Sequence, residues 1–187
     1  MVQGDAAGTA YRVRIQIDNP TSYRGRNARP NWITLLLFVG LALGAGALGF
    51  LFSPAHSPAV AHWYAGLAKP AWTAPDRWFG PVWIALYCLM GTAAWLVSRE
   101  RYHAKRNAAL VAYFLQLVLN AAWAPLFFGA GNLGAGLFIM VALWLTVAWT
   151  IRAFATVRAA AVLMLVPYFV WITYAMALNF SVWRLNQ

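Results

Sequence analysis

Between Arg106 and Arg152 the chain carries no formal charge, and this stretch constrains the fold more than any other. It is too apolar for the surface of a water-soluble domain and too long for one helix across a hydrocarbon core of about 30 Å, which takes roughly 20 residues. It must therefore break once. Gly129, Gly131, Asn132 and Gly134 supply the break, because glycine and asparagine adopt tight-turn backbone at little cost. Two antiparallel spanning helices joined by a short turn follow from this segment alone.

The same length criterion applied to the whole chain gives runs at 32–53, 79–98, 108–128, 133–151 and 159–183. The prediction is an all-α integral membrane bundle of five transmembrane helices over residues 31–187, with a loop at 54–78. Hydrophobic residues make up 63% of the sequence and charged ones only 10%, with mean hydropathy +0.61, which excludes an ordinary soluble domain. Pro125 and Pro167 fall inside helical runs and are expected to kink or unwind them, as neighbouring helices in a membrane permit. Residues 1–30, with Arg12, Arg14, Arg24, Arg26 and Arg29, read as a flexible basic tail. Residues 11–18 alternate in polarity instead of forming the apolar core of a secretion signal, so the first run reads as a membrane helix and not a cleaved leader.

The net charge of +10 raises the question of nucleic acid, yet the basic residues cluster beside apolar runs and form no continuous stripe, so no nucleic-acid partner is expected. Topology accounts for them better. One side of the membrane takes the tail arginines, Arg99, Arg101, Lys105, Arg106, Arg152 and Arg158, whereas the other takes only Lys69, Arg77 and Arg184. The positive-inside rule then predicts a cytoplasmic N-terminus in a bacterial-type cell membrane, an argument that lapses in an outer membrane. Cys88 alone makes neither an intrachain disulfide nor a thiolate metal site.

Residues 63–83, WYAGLAKPAWTAPDRWFGPVW, hold tryptophans interrupted by proline and glycine, a segment expected to be too broken for a helix and suited to a lid or pocket rim. Tryptophan's ordinary membrane role is interfacial, and Trp32, Trp95 and Trp183, at run ends, fit it. Trp144 and Trp149 fit packing or lipid contact. Trp72, Trp78 and Trp83 fall on no regular helix face, and converging indoles suit a large conjugated ring, each stacked pair adding about 0.5–1.5 kcal/mol beyond burial. Asn120 sits in the charge-free third run, where a buried amide serves an interhelical hydrogen bond of roughly 0.6–2 kcal/mol, a ligand, or both; Asn179 is a candidate partner. His56 and His62 are the histidines nearest such a pocket, but stacking needs no axial ligand. Metal-ligand spacing, a nucleophile elbow, a phosphate loop and paired membrane carboxylates are all missing from the sequence, which disfavours acid/base enzymology. Small residues at Gly40, Gly44, Ala45 and Gly49, and at Ala108 and Ala112, mark either close helix packing or a dimer face.

Three motifs in order, KPAWTAPDRWFGPVW (69–83), QLVLNAAWAPLFFG (116–129) and PYFVWITYAMALNFSVWRLN (167–186), resemble the TspO/translocator protein family, the tryptophan-rich sensory proteins. The resemblance implies a five-helix membrane receptor or transporter, commonly homodimeric. It would bind tetrapyrroles (porphyrin, haem) and sterol-like lipids beneath the loop, with a sensory or regulatory role. Porphyrin would be a ligand, and no cofactor or metal is required. Matching the motifs residue by residue puts the pocket at Trp83, Asn120, Trp171 and Ala175, joined by Trp123 and by the loop's Trp72. Two alternatives accompany this reading. One is a porphyrin-degrading enzyme using Trp83 and Trp171; the other is a regulatory scaffold acting through the tail. The sequence departs from the family in the loop, where Ala74 stands before Pro75 in place of a second proline, and in lacking a tyrosine placed for the sterol motif before Arg184.

Overall fold

The computed structural model describes residues 31–187, so the expected basic tail lies outside the described residues. Residues 32–187 form one compact unit. Its elements are α1 (Trp32–Leu51), α2 (Pro58–Ala65), a 3-10 turn (Asp76–Trp78), α3 (Phe79–Ser98), α4 (Arg106–Ala124), α5 (Leu133–Val157) and α6 (Ala159–Leu185). All but α2 and the 3-10 turn are long and apolar enough to cross a membrane. The chain is thus an all-α, multi-pass integral membrane bundle.

Two boundaries moved for physical reasons. The fourth spanning helix runs on past Arg152 to Val157, because an exposed arginine with a long stem continues a helix while its charge reaches the polar boundary. The segment 63–83, expected to be too broken for a helix, begins inside one, α2. Ser57 Oγ accepts from the Val60 amide and Pro58 occupies the first helical turn, where its missing N–H costs nothing. Trp63 and Tyr64 are therefore presented from a helix.

The two prolines behave differently. Pro125 opens a π turn, Pro125–Gly129, closed by the Ala130 amide donating to the Pro125 carbonyl at 2.8 Å. Pro167 lies inside α6, which continues through it. The turn expected between the third and fourth spans forms as read: Gly131 takes φ 61°, and Asn132 Oδ1 caps α5 by accepting from the Ala135 amide at 2.9 Å.

The core lies between α3, α4, α5 and α6, where Met90, Tyr113, Met140, Leu165, Tyr168 and Ile172 are fully buried. The first helix leans on α3 through a contact that the glycine pattern did not single out. A Cβ at Gly91 would stand 2.6 Å from the Val39 Cα, so only glycine lets these backbones meet. Of the small residues in α1, Ala45 is buried and Gly49 faces Ala124, whereas Gly40 and Gly44 have open space before them. Ala112 is buried and Ala108 is exposed. Trp95, expected at an interface, is buried instead, with the Arg99 guanidinium 5.0 Å from its ring centre.

Candidate functional site

A polar ladder forms the floor of the loop-side half of the bundle. Tyr87 Oη in α3 donates to Asn120 Oδ1 (2.6 Å), and Asn120 Nδ2 donates to Tyr168 Oη (2.9 Å). Tyr168 Oη in turn donates to Gln116 Oε1 (2.9 Å), and Gln116 Nε2 lies 3.9 Å from Met90 Sδ. Three helices are thereby tied through groups that lipid could not satisfy. Both polar atoms of Asn120 are engaged by tyrosines, and Asn179 is not its partner.

Above the floor lies an aromatic layer. Trp83, one turn before Tyr87, stacks on it with ring centroids 5.5 Å apart and meets Tyr168 edge-on at 6.4 Å. From α6, Trp171 contacts Phe79 (5.6 Å) and Tyr174 (5.4 Å), and Tyr174 contacts Trp72 of the loop (5.8 Å). At the end of α4, Trp123 stacks on Phe127 at 5.1 Å, and the π turn swings Phe127 and Phe128 against Trp63 and Tyr64 of α2. Trp83, Trp123, Trp171 and Ala175 all belong to one hydrophobic cluster. The ladder connects Asn120 to it and Tyr174 connects Trp72, so the structure brings every candidate pocket residue into one region. Trp72 and Trp78 are both about half exposed, and of the two only Trp72 has a ring contact to the layer, through Tyr174.

Within this layer three polar atoms are buried without a partner: Trp123 Nε1, Trp171 Nε1 and Asn179 Oδ1. Trp171, Ala175 and Asn179 recur every four residues and share one face of α6, while Trp123 packs against the buried cluster that Phe127 forms with Leu178 and Val182 of that helix. Ala175, between the two polar residues, is a small, buried side chain on the same face. Trp95 Nε1 and Tyr113 Oη are also unpartnered, but they lie in the opposite half of the bundle.

The loop is fastened at three points. Asn186 at the end of α6 exchanges two hydrogen bonds with Ala68, each 3.0 Å, and also donates to the Val182 carbonyl. The Ala74 amide donates to Tyr174 Oη at 2.7 Å. Lys69 Nζ donates to the Tyr64 and Leu67 carbonyls and sits 4.3 Å from the centre of the Tyr64 ring. This lysine is turned into the loop, while Arg77 and Arg184 are exposed. Burial, then the Asp76 carboxylate, then Tyr174 push the Tyr64 hydroxyl up to about 12. Of the histidines, His56 packs on Phe50 at 5.5 Å and His62 is exposed on α2. No cluster of three or more His, Cys, Asp or Glu occurs among the described residues.

Residues 32–184 match the TspO/MBR family profile. The chain belongs to the TspO/MBR family. It is 41% identical over 155 residues to the tryptophan-rich protein TspO of Chlorobaculum tepidum, covering 82% of this chain and 96% of that one. Against the translocator protein of Sus scrofa the identity is 38% over 160 residues, covering 84% and 93%. The tryptophan-rich sensory protein of Cereibacter sphaeroides is 36% identical over 157 residues, covering 83% and 93%. In this TspO/MBR member the residues missed by sequence reasoning are Tyr87, Tyr168, Tyr174 and Asn186. Tyrosines in apolar runs look like packing, and the bonds that give these four their roles span 33 to 118 positions. Asn186 closes the third motif, yet only the docked loop explains it.

Proposed function

We propose that this TspO-family membrane protein is a receptor or transporter for tetrapyrroles such as porphyrin or haem, held beneath the loop between the upper halves of α3, α4 and α6, in a sensory or regulatory role. The observation that carries the reading is the group of unpartnered atoms Trp123 Nε1, Trp171 Nε1 and Asn179 Oδ1 inside the aromatic layer. A buried donor without a partner costs about 1–3 kcal/mol, so such a cluster favours a ligand that supplies the missing acceptors and donor. A flat conjugated ring does so while stacking on Trp83 or Trp171. Asn120 serves the pocket indirectly, by holding Tyr87 and hence Trp83 in place. Arg77 and Arg184 remain available to pair with ring carboxylates at the rim, in place of Lys69.

The reading includes a second copy of the chain, because Gly40 and Gly44 open onto an apolar groove between α1 and α4 that also exposes Leu37 and Val118. The pocket is tested by titrating protoporphyrin IX into the protein in nanodiscs and following the Soret band. Saturable binding that falls at least tenfold in a Trp83→Ala, Trp171→Ala double variant is expected. Unchanged affinity in that variant overturns the pocket, and porphyrin consumed during the titration would move the reading to degradation.

A further inference from the structure

At the end of the bundle opposite the loop, α4 begins and α5 ends, and between them lies a groove of about 510 Å³. Trp149, Arg152 and Thr156 recur every three or four residues along one face of α5 and form one wall. Lys105, just before α4, and Ala108 of α4 form the other. The small side chains of Ala108, Ala109 and Ala153 leave the space that these walls enclose.

Among the described residues nothing neutralises the charges here. Among the described residues the carboxylates are Asp76, in the loop, and Glu100, which is paired with Arg158. Arg106 is engaged by the Ser98 carbonyl and the Asn107 side chain. Lys105 Nζ and the Arg152 guanidinium have no hydrogen-bond or ion-pair partner among the described residues, and both are exposed at the groove. The first turn of α4 lacks a side-chain cap, so its partial positive charge adds to theirs. Trp149, about half exposed on the same wall, gives the groove an apolar side just below its cationic mouth.

We propose that this groove binds a membrane lipid with an anionic headgroup, its phosphate between Lys105 and Arg152 and an acyl chain along Trp149. A zwitterionic lipid carries its own cation beside the phosphate and gains less from these two. A soluble anion would use the cations and leave the Trp149 wall unfilled. The site is independent of the loop-side pocket, and neither depends on the other being correct.

The test places the protein in phosphocholine nanodiscs doped with brominated-chain phosphatidylglycerol or, in parallel, brominated-chain phosphatidylcholine. Quenching of Trp149 is isolated as the difference between the wild type and Trp149→Phe. Phosphatidylglycerol is expected to quench at an about fivefold lower mole fraction, with roughly half of that preference lost for each of Lys105→Gln and Arg152→Gln and nearly all of it in the double variant. Arg101→Gln, an exposed cation on the same side but outside the groove, leaves the preference intact. Equal quenching by the two lipids, or a preference that survives the double substitution, overturns the proposal. So does abolition of the preference by millimolar inorganic phosphate, which would make the site one for free anions.

Discussion

In the middle of the bundle Tyr87, Gln116, Asn120 and Tyr168 pass hydrogen bonds from helix to helix, and the Asn120 amide has a partner at both ends. One turn nearer the loop, Trp123 and Trp171 keep buried N–H groups with no acceptor, and Asn179 farther along α6 keeps an unused oxygen. Both regions are aromatic and screened from water, yet the first is complete and the second is not. Completeness fixes geometry: the ladder holds Tyr87 and Tyr168, and these hold Trp83 from below. Incompleteness leaves capacity to bind something else. A rigid floor under an unsatisfied roof is the arrangement expected of a site whose shape is set before its ligand arrives.

The comparison breaks most visibly if the bundle holding the floor is forced apart. Gly91→Leu would drive a side chain into the Val39 backbone, and a loss of about 3 kcal/mol or more is expected, read as a lower midpoint in thermal unfolding in detergent. Asn120→Ala leaves two tyrosine hydroxyls short of a partner and is expected to cost about 2 kcal/mol by the same measurement, while Tyr87→Phe costs less. Asn186→Ala removes three hydrogen bonds at the protein's edge. Its expected effect is about 1 kcal/mol, with faster amide exchange confined to residues 66–69 and the ladder untouched. Smallest near neutral pH, where it vanishes, is a pH effect on the loop. Tyr64 is neutral in the docked loop up to about pH 12, whereas the free side chain ionises near 10, so docking is favoured fully below pH 10 and weakens as the pH rises through that window. Tyr64→Phe removes this part of the dependence, which amide exchange of the loop measures.

The number and order of the spanning helices were legible in the sequence because spanning length and the Gly129–Asn132 break are local properties. Trp83, Trp123 and Trp171 were legible as neighbours through the family motifs, and the structure brings them into one cluster. What stayed hidden was pairing across the chain. That Asn120 would choose Tyr87 and Tyr168 over Asn179 depends on helix rotation, which apolar runs with little amphipathic pattern do not encode. Gly91 was overlooked for a related reason, since one glycine in α3 carries the α1 contact while the more conspicuous glycines at 40 and 44 face outward. α2 was not expected, although its start, the Ser57 cap followed by Pro58, is a local feature.

On the proposed function, the unpartnered indole N–H groups under the loop serve a ligand and not the fold. Trp123→Phe combined with Trp171→Phe keeps the apolar rings and deletes only those donors and the extra ring area. Protoporphyrin IX affinity in nanodiscs, read from the Soret shift beside a thermal unfolding midpoint, decides the matter. Binding weakened about tenfold or more with an unchanged or raised midpoint is the predicted result. Undiminished binding, or a midpoint that falls in step with the affinity, would contradict it.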